Sequence, residues 1–327
     1  MDLALLNGWQ RGFPLEREPF ARIGREQGLD AATVLARLHA CRADGRLGRI
    51  GGVFAAGAGG SGLLAAMAVP ADRLEAVAAQ VSALPGVNHN YEREHRWNLW
   101  FVIGGARDTA VQRALDGLEA DTGLPTLRLP MQRAYRIDLG FDLAGAAAQG
   151  PTATRSEAAA PLPEAEWPLA ALVERGLPLV ARPYDDWAAE LGWRVADVLD
   201  TLHRWLADGS LKRFGTIVRH HELGFAANAM TVFDVADAEA DAVGARLARE
   251  AGVSLAYRRA RAPGWPYNLF CMVHGRDRAA VAAVIDGVRE RAGLGAVPHA
   301  VLFSRRRFKQ TGPRRFAAAT PEVCDAA

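Results

Sequence analysis

The sequence predicts an α+β protein built as a tandem duplication, each half a winged helix-turn-helix followed by a ferredoxin-like βαββαβ domain. Three observations predict it: an internal repeat spanning the chain, helix-periodic segments opening each half, and alternating strand and helix patterns closing it. The repeat is read from paired motifs. Phe13-Pro14-Leu15 recurs as Leu177-Pro178-Leu179, Leu38-His39 as Leu202-His203, and Asp44-Gly45 as Asp208-Gly209. Leu47-x-Arg49-x-Gly51 recurs as Leu211-x-Arg213-x-Gly215, at the same offset of 164. Tyr91-x-Arg93 matches Tyr257-x-Arg259 at 166, and Asn98-Leu99 matches Asn268-Leu269 at 170, so the second half carries small insertions.

Within the first half, a helix from Glu16 to Gln27 leads to a second that starts at Asp30-Ala31-Ala32, with Val34, Leu35, Leu38 and Cys41 at helical spacing. Asp44-Gly45 closes it, and Leu47 to Phe54 reads as a strand or wing. A strand from Leu63 to Val69 and a helix opened by Pro70-Ala71-Asp72 follow. Strands from Val87 to Glu94 and Trp97 to Ile103, a helix from Thr109 to Thr122 and a strand from Thr126 to Leu139 complete the unit. The second half repeats it over 227–235, 239–250, 253–259, 267–274, 278–292 and 300–308. Domains are therefore expected at 1–54, 62–139, 164–219 and 225–316, with an Ala/Pro/Gly/Ser-rich linker over 140–163.

Composition narrows the function. The 327 residues carry 39 basic and 37 acidic side chains, too balanced for a whole-chain nucleic-acid binder. Nothing approaches a membrane span or a signal peptide, and Cys41, Cys271 and Cys324 form no disulfide or metal-binding spacing. A cytoplasmic protein is expected. Only Lys212 and Lys309 are lysines, which argues against Schiff-base chemistry, while the other 37 basic residues are arginines suited to holding carboxylates by paired hydrogen bonds.

A winged helix followed by βαββαβ resembles the Lrp/AsnC family, and the resemblance covers nearly the whole chain twice. Asn88-His89-Asn90-Tyr91-Glu92-Arg93-Glu94-His95 with Trp97-Asn98-Leu99-Trp100-Phe101 is similar to a motif of the sirohaem decarboxylases, the enzymatic branch of that family. So is Lys212-Arg213-Phe214-Gly215-Thr216-Ile217-Val218-Arg219-His220-His221. The two-half fusion resembles the fused subunit that serves haem d1 biosynthesis. That resemblance implies removal of two acetate carboxyl groups from sirohaem, at ring positions 12 and 18. It also implies a pseudo-dimer within one chain and association with related decarboxylase subunits.

The chemistry asks for an apolar pocket with a cationic rim and a proton donor. Arg93, Arg96, Arg213, Arg219, Tyr257, Arg258, Arg259 and Arg261 are the candidates for the rim, with Trp97, Phe214 and Trp265 as walls. His89, His220 and His221 are the candidate proton donors, and any one of them could instead ligate the substrate's iron. Tyr91 and Tyr257 are weaker alternatives as donors. No cofactor is required, because the iron tetrapyrrole is itself the electron sink, and no metal site is expected from the protein alone. Trp100 and Phe101 read as core, and His39 and His203 as packing or capping residues. Arg305-Arg306-Arg307 reads either as a solvated strand edge or as a carboxylate site.

The halves differ where polar residues are concerned. Arg219-His220-His221 corresponds to Ala55-Ala56-Gly57, and His89 corresponds to Leu255. Either one composite site uses both remnants, or two sites have diverged. The competing function is a DNA-binding regulator. Asp197 and Asp200 on the second recognition helix oppose phosphate contacts and argue against it. A non-catalytic tetrapyrrole carrier is the third reading.

Overall fold

The computed structural model describes residues 2–55, 57–137, 159–218 and 227–316. The first half opens with α1 (Asp2–Gly8), α2 (Pro19–Gln27), α3 (Ala31–Ala43) and β1 (Leu47–Phe54). Pro19 sets the start of α2 three residues later than the apolar pattern suggests, because its fixed φ suits a helix's first turn. Asp30 caps α3 by accepting from the Thr33 N–H at 2.6 Å. β2 (Ser61–Met67), α4 (Leu74–Ala83), β3 (Val87–Arg93), β4 (Leu99–Gly105), α5 (Asp108–Thr122) and β5 (Thr126–Ile137) follow.

The second half repeats the order with α6 (Trp167–Arg175), α7 (Pro183–Leu191), α8 (Val195–Ala207) and β6 (Leu211–Val218). Then come β7 (Ala227–Phe233), α9 (Ala240–Leu247), β8 (Val253–Arg259), β9 (Leu269–Gly275), α10 (Arg278–Arg291) and β10 (His299–Gln310). Strand β4 starts two residues later than its pattern suggests. The Asn98 side chain there bonds both the N–H and the C=O of Val69 at 2.9 Å, and Asn268 does the same to Val235. The recurring Asn-Leu pair thus closes the same turn in each half.

Helices α1 and α6, of seven and nine residues, have no counterpart in the sequence reading. Each is held by the other half. The Thr216 hydroxyl donates to Leu6 O at 2.6 Å and the Thr216 N–H to Trp9 O at 2.8 Å, while the Leu177 N–H donates to Ile50 O at 2.7 Å. The wings pair with one another: β1 and β6 run antiparallel with Gly51 opposite Gly215. A Cβ on Gly215 would collide with the Trp9 carbonyl and one on Gly51 with that of Val173, which explains the glycine in the repeated Leu-x-Arg-x-Gly motif. One apolar core, from Leu5 and Phe20 to Trp187 and Trp205, therefore serves both winged helices.

The two βαββαβ units close into one eight-stranded barrel, in the order β10-β3-β4-β2-β5-β8-β9-β7. The long fourth strand of each half does this. Thr126–Pro130 of β5 pairs with β2 and Met131–Ile137 with β8. His299–Phe303 of β10 pairs with β7, and Ser304–Gln310 with β3. Closure leaves no edge to protect, so Arg305-Arg306-Arg307 is not a solvated edge. The helices pack outside over two apolar clusters, and a third cluster that includes Trp100, Trp265 and Phe270 fills part of the interior.

Candidate active site

Alternation along β3 decides what enters the barrel. Asn90 donates to Ala78 O and to Ser82 Oγ, both at 3.0 Å, beneath α4, and Glu92 accepts from Arg306 at 2.6 Å on that same outer face. His89, Tyr91 and Arg93 consequently face inward. On β8 the outward residue is Arg258, and Tyr257 and Arg259 face inward.

Arg93 and Arg259 are repeat equivalents in equivalent settings. Arg93 Nη1 donates to Leu302 O at 3.1 Å and to Asn228 Oδ1 at 3.4 Å; Arg259 Nη1 donates to Leu129 O at 2.7 Å. Their guanidinium carbons lie 5.5 Å from the Tyr91 ring centre and 4.9 Å from that of Tyr257. Both are buried, 7% and 8% exposed, and neither has a carboxylate within ion-pair distance among the described residues. Burial pushes Arg93 down to about 10 and lowers Arg259, while it raises Tyr91 and Tyr257, keeping both phenols protonated as donors.

His89 completes the cluster. Its ring stacks on Tyr91 at 6.2 Å and Nδ1 lies 2.5 Å from Asn88 Oδ1, which fixes Nδ1 as the donor. Burial, then the charges of Arg49 and Arg93, lower it to about 4, so the free enzyme holds a neutral ring. His89, Tyr91, Val102, Leu255 and Tyr257 are only partly buried. Behind them lies an aromatic wall: Trp100 and Trp265 rings are 5.0 Å apart, Trp100 Nε1 donates to Trp97 O at 2.6 Å, and Trp97 packs against the same cluster.

Of the expected rim residues, Arg93 lies near both His89 and Tyr257, and Tyr257 in turn adjoins Arg259. Others lie elsewhere. Arg96 is exposed and donates to Gly264 O at 2.6 Å, tying the β3–β4 turn to a loop of the second half. Arg213 is buried among the winged helices, donating to Gln10 O at 3.0 Å. Arg258 pairs with Asp237 at 2.9 Å and Asp241 at 3.5 Å on the outer face. Arg261 lies beyond the end of β8, pairing with Asp234 at 2.8 Å and Asp237 at 2.7 Å rather than sharing a face with Tyr257. These four are engaged by protein groups away from the cluster. Phe214 is no wall of the barrel either; its ring sits in the winged-helix core, 6.0 Å from Phe13. Arg219, His220 and His221 lie outside the described residues.

Trp100 lines the interior, Phe101 packs beneath the helices, and His39 Nε2 contacts Leu179 O at 3.1 Å while His203 is exposed. Arg305 lies 3.7 Å from both Glu92 and Glu94, and Arg306 pairs with Glu92 and Glu75. Sequence reasoning missed Arg49, Asn228 and His274. Strand register sets Asn228 opposite His274 in the second half where the first has Gly62 opposite Gly104. The one-sidedness that singled out His89 would have found that pair. Among the described residues no group of three or more His, Cys, Asp or Glu could hold a metal, and no helix is long and apolar enough to cross a membrane.

Shared winged-helix core, closed barrel and an arginine–tyrosine–histidine interior together define an enzyme built on an Lrp/AsnC-like scaffold. Family profiles agree: residues 57–136 and 222–309 match the AsnC-like ligand binding domain, and residues 2–47 and 169–211 the siroheme decarboxylase NirDL-like HTH domain. The chain belongs to the sirohaem decarboxylase NirDL family, whose members are carboxy-lyases. It is 41% identical to the siroheme decarboxylase NirDL subunit of Paracoccus denitrificans (strain Pd 1222), over 95% of this chain and 96% of that one. It is 30% identical to the siroheme decarboxylase of Hydrogenobacter thermophilus, over 94% and 92%. The separate NirD subunit of Pseudomonas aeruginosa is 48% identical over 42% of this chain and 93% of its own length. A solved siroheme decarboxylase NirDL superposes with a TM-score of 0.70 at 27% identity, covering 97% of this chain and 95% of that chain.

Proposed function

We propose that this chain removes the acetate carboxyl groups at ring positions 12 and 18 of sirohaem, giving didecarboxysirohaem for haem d1 biosynthesis. The observation that carries this reading is the pair of buried guanidinium groups, Arg93 and Arg259, held against Tyr91 and Tyr257 with no carboxylate counter-ion among the described residues. Buried cations without partners are costly, and a polycarboxylate ligand offsets that cost. A solved relative, 28% identical with a TM-score of 0.69, is described in complex with an iron-uroporphyrin III analogue, which supports the same ligand class here.

Each turnover breaks one C–CO2 bond at an acetate arm. The electron pair moves into the macrocycle, carbon dioxide leaves, and a proton from the enzyme completes the methyl group. The macrocycle serves as electron sink, so no further cofactor is invoked. Arg93 and Arg259 supply positive potential from behind Tyr91 and Tyr257, whose hydroxyls donate to substrate carboxylates. His89 delivers the proton. Its ring is neutral in the free protein, and bound carboxylates oppose the charges of Arg49 and Arg93, so the ring takes up a proton as substrate binds. General acid catalysis of this kind is worth roughly 10²–10⁴ in rate.

Wing register supports a composite site. Ile217, just before Arg219-His220-His221, pairs with Arg49, the residue whose charge His89 feels. His220 and His221 are thereby proposed as second donor or iron ligand, and Arg219 as a further carboxylate partner. The enzyme is proposed to act in the cytoplasm and to associate with related subunits. Anaerobic incubation of the purified chain with sirohaem, followed by mass spectrometry, tests the reading. Loss of two carbon dioxide units is expected. A bound but unchanged macrocycle would favour a carrier, and neither binding nor turnover would favour a regulator.

A further inference from the structure

Arg49 and Arg213 occupy the same place in the repeated Leu-x-Arg-x-Gly motif, on wings that pair with each other. Their side chains are used differently. Arg213 Nη1 is consumed within the winged-helix core by the Gln10 carbonyl at 3.0 Å. Arg49 makes no hydrogen bond or ion pair to any described residue, and its Nε is buried without a partner. Glu174, the nearby carboxylate, is already taken: it accepts the backbone N–H groups of Arg315 and Phe316 at 2.7 and 3.1 Å and pairs with the Arg315 side chain at 3.4 Å.

The Arg49 guanidinium packs against Gly312, where any Cβ would displace it. Gly312 follows directly on the end of β10, where Gln310 pairs with His89 and the Thr311 N–H donates to Asn88 O at 2.7 Å. The wing arginine is thus brought to the His89 end of β3. Its charge is one of those that lower His89.

We propose that Arg49 is a substrate-binding residue, reaching from the first winged helix to the His89 mouth of the barrel to hold an acetate carboxylate of the tetrapyrrole beside the proton donor. The assignment rests on the reading of that mouth as the tetrapyrrole site. It also gives the winged helix an enzymatic use: the wing supplies a second cation beside Arg307, which β10 sets opposite Tyr91. Arg213, turned inward, supplies none to the other mouth.

The test measures binding of two probes, iron uroporphyrin III with eight carboxylates and iron coproporphyrin III with four, by absorbance titration. Arg49→Gln weakens iron uroporphyrin about ten- to a hundredfold, the range for one lost charge-assisted bond. It leaves iron coproporphyrin, which lacks the acetate arms, within a few-fold of wild type. Arg49→Lys keeps the charge and packing and lies between, so a folding defect in the glutamine variant does not decide the result. An unchanged ratio of the two affinities in both variants, with turnover lost in His89→Asn, would overturn the Arg49 assignment alone. Unchanged turnover in His89→Asn would overturn the site reading and the assignment with it.

Discussion

Two repeat-related mouths of one barrel can be set side by side. The first carries His89 on β3, with Arg49, which pairs with Ile217 across the wings, turned toward it. The second carries Leu255 in place of His89, with His274 opposite Asn228, and Arg213, the counterpart of Arg49, is folded into the winged-helix core. Between the mouths, Arg93 with Tyr91 mirrors Arg259 with Tyr257, down to equivalent carbonyl partners on β10 and β5. The duplication has thus kept what builds the barrel and its central charge, while the two ends have diverged, with His89 and Arg49 at one and His274 opposite Asn228 in the other half. Wings, strand registers and the Asn98 and Asn268 clamps are under packing constraint in both halves.

The sharpest way to break this comparison is to remove His89. His89→Asn is expected to lower turnover roughly 10²–10⁴-fold, the usual contribution of a general acid, while substrate binding persists. Single-turnover kinetics beside an absorbance titration separate the two. Leu255→His at the other mouth is expected to restore nothing.

Next in size are the central arginines. Arg93→Met or Arg259→Met removes a buried cation without a counter-ion, so the free protein is expected to gain about 1–3 kcal/mol in stability, by analogy with buried charges replaced by apolar residues. Affinity for sirohaem falls at least about tenfold in the same variants. Denaturant melts and titrations on one preparation show whether stability and binding move in opposite directions. Both falling together would mean the arginines are structural.

A third prediction concerns pH. His89 is lowered from the usual 6.5 to about 4, so between those values the unfolded chain binds the proton before the native one does. The native state therefore loses stability as pH falls from about 6.5 toward 4, by at most about 3 kcal/mol and by less to the extent that the partly open ring is solvated. Melting curves of wild type and His89→Asn should converge in their pH dependence above 6.5 and separate below it.

How far the sequence reached follows from the same contrast. The duplication, the winged helices and nearly every strand were legible, because apolar periodicity and repeated motifs record packing directly. His89, Arg93, Tyr257 and Arg259 were legible as a set because Tyr-x-Arg recurs on a strand whose period places both residues on one face. Arg96, Arg258 and Arg261 were misread, because composition does not reveal that Gly264, Asp234, Asp237 and Asp241 would claim them. Arg49 was invisible: it matches Arg213 residue for residue, and only the tertiary position of Gly312 and β3 separates them. The smallest expected effect tests that correction. Arg258→Gln and Arg261→Gln, on the outer face, should leave kcat and KM within about twofold, since exposed ion pairs contribute about 0–1 kcal/mol.

The most direct test of a single working mouth is a structure of the chain with iron uroporphyrin III bound. One macrocycle is expected, at the His89 mouth, with carboxylates against Arg49, Tyr91 and Tyr257. A macrocycle at the Leu255 mouth, or one at each, would contradict it.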